Sequence, residues 1–299
     1  MSRLKSAIKP FFSLIGRVWP ENWMKFRYFV RFKKPLDLKT PKNVNEKILY
    51  LSLKTDTTSW TDLSDKYLVR TYVKDKIGED NLVKLYGKWQ NANDIDWHSL
   101  PNSFVIKTNH GSGEITIVKD KSKLDIPSVV KYFNNKIKRP YGEIEGGKHY
   151  SRIKPLIIAE ELLVNDFESA KYSSSIIDYK CWCFNGRCEY IWACINRNKN
   201  GADVMLYDRD WKSHPEFSIF NNHYRKAPII PKPNNLDSII EAAEKLAKPF
   251  PVVRVDLYSI NNKIFFGEMT FTSLGGLMDY FTPEFLEKAG AMIDLNYKG

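Results

Sequence analysis

RVDLYSINNKIFFGEMTFTSLGG, Arg254 to Gly276, reads as two apolar arms joined by a polar turn. Alternating apolar residues around an Asn-rich break predict a β-hairpin. Yet Asp256 and Glu268 sit inside those arms, where a hairpin needs no acids. Strand side chains alternate between faces, so Arg254, Asp256, Glu268 and Thr270 fall on one parity and Val255, Leu257, Phe265 and Met269 on the other. A three-residue loop, Asn261 to Lys263, sets Asp256 opposite Glu268 and Arg254 opposite Thr270. A two-residue loop, Asn261-Asn262, pairs Asp256 with Gly267 instead. The apolar pattern favours the first register, because it keeps one face apolar. Directly opposed residues have Cβ atoms about 5 Å apart. Two carboxylates that close repel unless a cation lies between them. A hard ion such as Mg²⁺ answers that need; so does a solvated pair partly neutralised by Arg254.

The rest of the chain, 299 residues with 43% hydrophobic and 27% charged content, is long enough and apolar enough for a sizeable core. Its four cysteines, Cys181, Cys183, Cys188 and Cys194, cluster in one segment at spacings that fit neither a disulfide framework nor a zinc ribbon. A reducing, cytoplasmic setting follows. Net charge is +11, which points to a membrane surface, a nucleic acid or an anionic small ligand. Residues 1–34 hold nine Lys/Arg and one acid, Glu21, interleaved with Phe11, Phe12, Trp19, Trp23, Phe26, Tyr28, Phe29 and Phe32. No stretch has the length of a membrane span, and Lys9 and Arg17 leave too short an apolar run for a signal peptide. A basic amphipathic helix lying on the inner membrane face and one packed on the body of the protein are equally consistent with this. A nucleic-acid partner is not expected, since no binding motif accompanies the charge.

Helices are expected at Asn45–Leu53, at Thr61–Ile77 with Thr61 as N-cap, at 128–137 and at Leu236–Ala247. Strands are expected at 82–89, 103–109, 115–120, 156–159, 176–184 and 188–196, with residues 197–235 rich in loops. Hairpins mixed with helices, without strict β-α-β alternation, indicate an α+β protein. The expected units are a basic aromatic segment (1–40), a first α+β lobe (41–165) and a second (166–299).

Further fragments carry chemistry. SFVIKTNHGSGEITIV places Lys107 at a strand end before a Gly/Ser loop, and a lysine with loop amides holds phosphate oxygens. DKYLVR adds Arg70, and PLIIAEELL ends a strand in Glu160-Glu161-Leu162-Leu163. In this order the fragments resemble the ATP-grasp superfamily, which runs a DKxxxK-like helix, a VIKP-like strand, a glycine-rich loop, an E-x-x-L hinge and an RxDxx…ExN hairpin. More closely, the chain is similar to the TupA-like ATP-grasp family of cell-surface polysaccharide loci. That resemblance rests on NEKILYL, DKYLVR, LPNSFVIKTNHGSG, IIAEELL, DYKCWCFNG and RVDLY…FGEMTFTSLGG, over roughly residues 40 to 285.

The resemblance implies an ATP-grasp fold, with ATP and Mg²⁺ held between two α+β lobes. It implies a carboxylate–amine ligase working through an acyl phosphate. Its substrate would be a sugar acid or amino acid, free or on a lipid-linked glycan, in surface (capsular) polysaccharide assembly. Carried over by position, Lys107 and Arg70 contact phosphates, Arg70 standing where the superfamily has lysine. Ser112 and Gly113 close over the phosphates, and His110 shares their loop. Glu160, Glu161 and Leu163 form the hinge that reads adenine, and Asp178 touches ribose. Lys180 faces phosphate or substrate, and Arg254 lies near the reacting oxygens. Asp256 and Glu268 hold Mg²⁺, with Thr270 in place of the usual asparagine. Two other functions stay open: a glycosyl- or phosphotransferase on the same nucleotide-binding scaffold, and a non-catalytic membrane-associated scaffold.

Overall fold

The computed structural model describes residues 11–138, 141–144 and 146–299; residues 1–10 of the basic segment lie outside them. Residues 11–18 are helical, followed by helix α1 (Pro20–Phe32), α2 (Val44–Lys54), α3 (Thr58–Ser64) and α4 (Val69–Ile77). A capping box starts α2: the Asn43 side chain accepts from the Glu46 N–H at 3.0 Å, and the Glu46 carboxylate accepts from the Asn43 N–H at 3.2 Å.

The expected single helix over Thr61–Ile77 is two helices, and Thr61 lies within the first. Asp65 causes the break. Its backbone is extended, its carboxylate accepts from the N–H groups of Tyr67 and Leu68 at 2.7 and 3.2 Å, and it is buried against the Asn109 side chain at 2.8 Å. An aspartate so placed ends one helix and turns the chain into the next.

Strands β1 (Leu85–Trp89), β2 (Phe104–Thr108), β3 (Ile115–Val118) and β4 (Ile157–Glu160) form an antiparallel sheet in the order β1-β4-β2-β3. Helix α5 (Ile126–Lys136) covers it, burying Val129 and Phe133 against Phe104, Ile106, Ile157 and Ala159. The second sheet has six strands: β5 (Asp178–Phe184), β6 (Arg187–Asn198), β7 (Gly201–Asp208), β8 (Tyr224–Lys226), β9 (Val252–Ile260) and β10 (Lys263–Thr270). They run in the order β10-β9-β5-β6-β7-β8, antiparallel except for the β7–β8 pair. Strands β7 and β8 fall in the stretch expected to be loops. Val204, Met205, Leu206 and Tyr207 are consecutive and all buried, so β7 is covered on both faces and shows no alternation.

Helix α6 (Leu236–Ala247) spans the expected residues and packs its Ile239, Ala243 and Leu246 face into the large core. Helix α7 (Pro283–Ala291) follows the sheet. Val44, Ile48, Leu51, Trp60, Leu63, Val69 and Val73 join that same core, so α2, α3 and α4 pack with the six-stranded sheet rather than the four-stranded one. The four cysteines are free and buried there. The mixture of sheets and helices is the expected α+β class.

Candidate active site

The strand order of the large sheet gathers the charges. Lys180 on β5 lies opposite Asp256 on β9 and opposite Trp192 on β6. Because strand side chains alternate, Asp178, Lys180, Arg254 and Asp256 share one face, while Cys181, Cys183, Val253 and Val255 turn to the other.

The hairpin reaches the expected Asp256–Glu268 pairing by a different route. Lys263 pairs with Ile260, so the loop is Asn261-Asn262 alone, both at positive φ (50° and 60°). Two left-handed residues give the tight turn whose twist suits a hairpin, and asparagine tolerates that conformation. A bulge at Gly267 then restores the register: Phe266 faces Leu257, and Glu268 faces Asp256. A Cβ at Gly267 would lie 2.9 Å from the Asp256 carbonyl oxygen, so the close approach needs glycine. Before the bulge, the core-facing residues are Ile264 and Phe266; Phe265, expected there, is half-buried on the other side.

The Arg254 guanidinium lies between the two acids. Its Nε and Nη2 donate to Asp256 at 2.6 and 2.7 Å. Nη2 also reaches Glu268 at 3.0 Å and the Thr270 hydroxyl at 3.1 Å, and Nη1 donates to Ser273 at 2.7 Å. Lys180 bridges Asp256 and Asp178, the latter at 2.7 Å, and Arg197 reaches Asp178 at 3.3 Å. Burial opposes ionisation of Asp256, but Arg254 and Lys180 outweigh it and hold its carboxyl down at about 2. Burial likewise opposes the charge on Lys180, yet Asp178 and Asp256 raise its pKa. Burial raises the Asp178 carboxyl despite Lys180. Asp256 is 2% exposed and Glu268 is 42% exposed.

Arg254 thus stands where the sequence led us to expect a metal. Two carboxylates and a hydroxyl are hard oxygen donors, so Asp256, Glu268 and Thr270 fit Mg²⁺ in chemistry. Among the described residues no group of three or more His, Cys, Asp or Glu converges on one point.

A cavity of about 640 Å³ opens over this face. Of the residues picked out from the sequence, Lys180, Arg254, Glu268, Thr270 and Ser112 line it. Asp256 and Asp178 lie directly behind Arg254 and Lys180 and bond to them. A second cluster sits on the small sheet, where Glu160 receives Lys107 at 2.5 Å and Arg70 at 3.3 Å. Its carboxylate is therefore committed to the two cations expected to hold phosphate, and Glu160 itself is a strand residue paired on both sides. Glu161 follows, its N–H donated to the Lys84 carbonyl at 2.9 Å. Leu163 lies beyond the end of β4. His110 is buried, and neither it nor Gly113, at φ +74°, lines the cavity.

Several lining residues were not singled out from the sequence. Lys66 follows the helix break, donates to the Gly111 carbonyl at 2.7 Å, and has its pKa lowered by burial. Arg197, Tyr150 and Ser273 also face the cavity. The break at Asp65 was the available signal for Lys66: an acid inside an apolar helical pattern. Nothing local marks the other three.

The family described as TupA-like ATPgrasp matches residues 46–294. No curated protein matches the chain in sequence. Among solved structures it is similar to D-alanine–D-alanine ligase from Bacillus anthracis (13% identity, 85% of this chain and 71% of that one, TM-score 0.47). It is also similar to L-amino acid ligase from Bacillus licheniformis (13%, 82% and 53%, 0.44) and to D-alanine–D-alanine ligase from Coxiella burnetii (12%, 86% and 64%, 0.44). The chain spans less than two thirds of the length of the last two.

Proposed function

The chain belongs to the TupA-like ATP-grasp family; on that premise we propose that it is a ligase using ATP and Mg²⁺ that joins a carboxylate to an amine through an acyl phosphate, on a sugar acid or amino acid destined for a cell-surface polysaccharide. One observation carries the reading. Lys66 and Ser112 from the glycine-loop side, and Lys180, Arg254 and Glu268 from the large sheet, meet at one cavity.

The reaction asks little covalent work of the protein. A carboxylate oxygen attacks the γ-phosphorus and ADP leaves; the amine then attacks the acyl carbon and phosphate leaves, the amine proton passing to phosphate or water. Positioning and charge neutralisation supply the acceleration. Lys66 and the Gly111-Ser112 amides hold phosphate oxygens, with Lys107 and Arg70 behind them. Glu268 and Thr270, which line the cavity, would hold Mg²⁺, which when bound supplies Lewis-acid neutralisation of phosphate charge. Arg254 and Lys180 present fixed positive charge to the oxygens that become negative, and Asp256 and Asp178 fix their direction. Arg197, at the rim, orients the acceptor carboxylate. Tyr150, Trp192 and Tyr280 exclude the water that would hydrolyse an acyl phosphate.

The test is ADP release over a panel of amino acids with uronic acids. Release that requires both a carboxylate and an amine, with amide product, supports the ligase. Release with one substrate alone, or a phosphorylated or glycosylated product in place of an amide, overturns it.

A further inference from the structure

Helix α1 has two apolar stripes, one buried in the fold and one largely exposed. Trp23, Met24 and Tyr28 face inward and pack with Leu36, Leu49 and Leu277. The Trp23 indole donates to the Ile144 carbonyl at 2.9 Å, and Arg31 pairs with Asp279 at 2.5 Å, tying the helix to the body. The other stripe faces out. Trp19, Phe26 and Phe29 are 62%, 56% and 54% exposed, and Val30 lies beside them. The band continues onto the preceding helical turns through Phe11, Leu14 and Val18. A helix that only packs on a body has one apolar stripe and a polar outer face.

The surroundings of the outer stripe are basic. Lys25, Lys33 and Lys34 on the same segment are exposed. Glu21, the acid of this segment, is taken by Lys25 and Lys54 at 2.7 and 2.6 Å. An apolar stripe rich in Trp and Phe, flanked by Lys and Arg, is the composition that settles at a lipid–water boundary. Charge complementarity selects an anionic surface. A second copy would bring two like-charged stripes together, in a chain of net charge +11. No helix of the described residues is long and apolar enough to cross a membrane, so the contact is in the plane of the interface.

We propose that residues 11–34 dock the protein on an anionic lipid bilayer, with the outer stripe of α1 inserted at the headgroup level. The same helix forms one edge of the cavity through Phe26, Arg27, Val30 and Arg31. Docking therefore sets the cavity mouth at the lipid surface. Taken with the ligase reading, on which this last clause rests, it makes the acceptor an amphiphile whose reacting head enters the cavity while its lipid stays in the bilayer.

The docking is tested without nucleotide or substrate, so its failure and a failure of the ligase reading are separable. The full chain is sedimented with phosphatidylcholine vesicles, with and without phosphatidylglycerol. Wild type is expected to sediment with the mixed vesicles and to be released by salt. Trp19→Ser/Phe29→Ser, both exposed positions, is expected to lower binding by at least about tenfold at an unchanged melting temperature. Lys33→Glu/Lys34→Glu is expected to remove the preference for phosphatidylglycerol. Absence of wild-type binding to the mixed vesicles, or equal binding by Trp19→Ser/Phe29→Ser, overturns the proposal. Self-association that this double variant abolishes, without vesicle binding, assigns the stripe to a second copy and overturns it too.

Discussion

On the small sheet one acid, Glu160, holds two cations, Lys107 and Arg70; on the large sheet three acids, Asp178, Asp256 and Glu268, hold three cations, Lys180, Arg197 and Arg254. The first cluster has a surplus positive charge, and Lys66 adds another at the cavity. The second is balanced and mostly buried, with only Glu268 and Arg197 substantially exposed. The difference assigns the two sides different work. The small sheet carries the surplus positive charge. The large sheet is built to hold Arg254 and Lys180 rigidly, and it offers Glu268 as the carboxylate with room to change partners.

The largest break in this contrast comes from Asp256→Asn. Removing one partner of a buried ion pair leaves the others uncompensated, so stability should fall by about 3–5 kcal/mol, read from urea unfolding. Wild-type stability in that variant would show that the balance is not needed.

On the small sheet the expected effect is on ligand rather than fold. Lys107→Met should weaken ATP binding by about ten- to a hundredfold, the worth of one charge-assisted contact. Lys107→Met/Glu160→Gln should recover the stability lost with the lysine but not the affinity. Calorimetric titration with ATP separates the two.

His149 supplies the uncharged limit. It is fully buried between Trp60 and Phe271, neither ring nitrogen has a partner among the described residues, and burial holds its pKa down at about 3. The unfolded chain binds that proton near its ordinary value of 6.5. The His149 contribution is thus fully present above about pH 6.5 and declines as pH falls toward 3, costing about 2 kcal/mol between pH 7 and 5. His149→Phe should flatten urea midpoints over that interval; an unchanged slope would place the effect elsewhere.

The smallest effect tests register. Gly267→Ala should destabilise by about 1 kcal/mol through the contact with the Asp256 carbonyl, and should weaken Mg²⁺ dependence by disturbing the Glu268 pairing. A neutral outcome in both would mean that the bulge tolerates a side chain.

The hairpin was legible because two apolar arms flank the polar Asn261-Asn262 break, although the Gly267 bulge interrupts the alternation of the second arm. Its loop length was not: the tight Asn261-Asn262 turn and the Gly267 bulge each shift the register by one residue, and the shifts cancel. The break at Asp65 escaped a helical pattern because its partner Asn109 is distant in sequence. Strand β7 escaped because burial on both faces erases alternation. The Glu160 pairings depend on β4 lying beside β2, which no local pattern encodes. What the ordered fragments did carry was the family and the cavity-lining set of Ser112, Lys180, Arg254, Glu268 and Thr270.

The central claim is that Glu268, opposite Asp256, serves Mg²⁺-dependent nucleotide binding. Thermal melting of wild type and Glu268→Gln with ATP, with and without Mg²⁺, tests it directly. Both proteins should melt alike without nucleotide, since Glu268 is partly exposed. Wild type should gain a Mg²⁺-dependent upward shift that Glu268→Gln largely loses. An equal Mg²⁺-dependent shift in the variant would contradict the assignment.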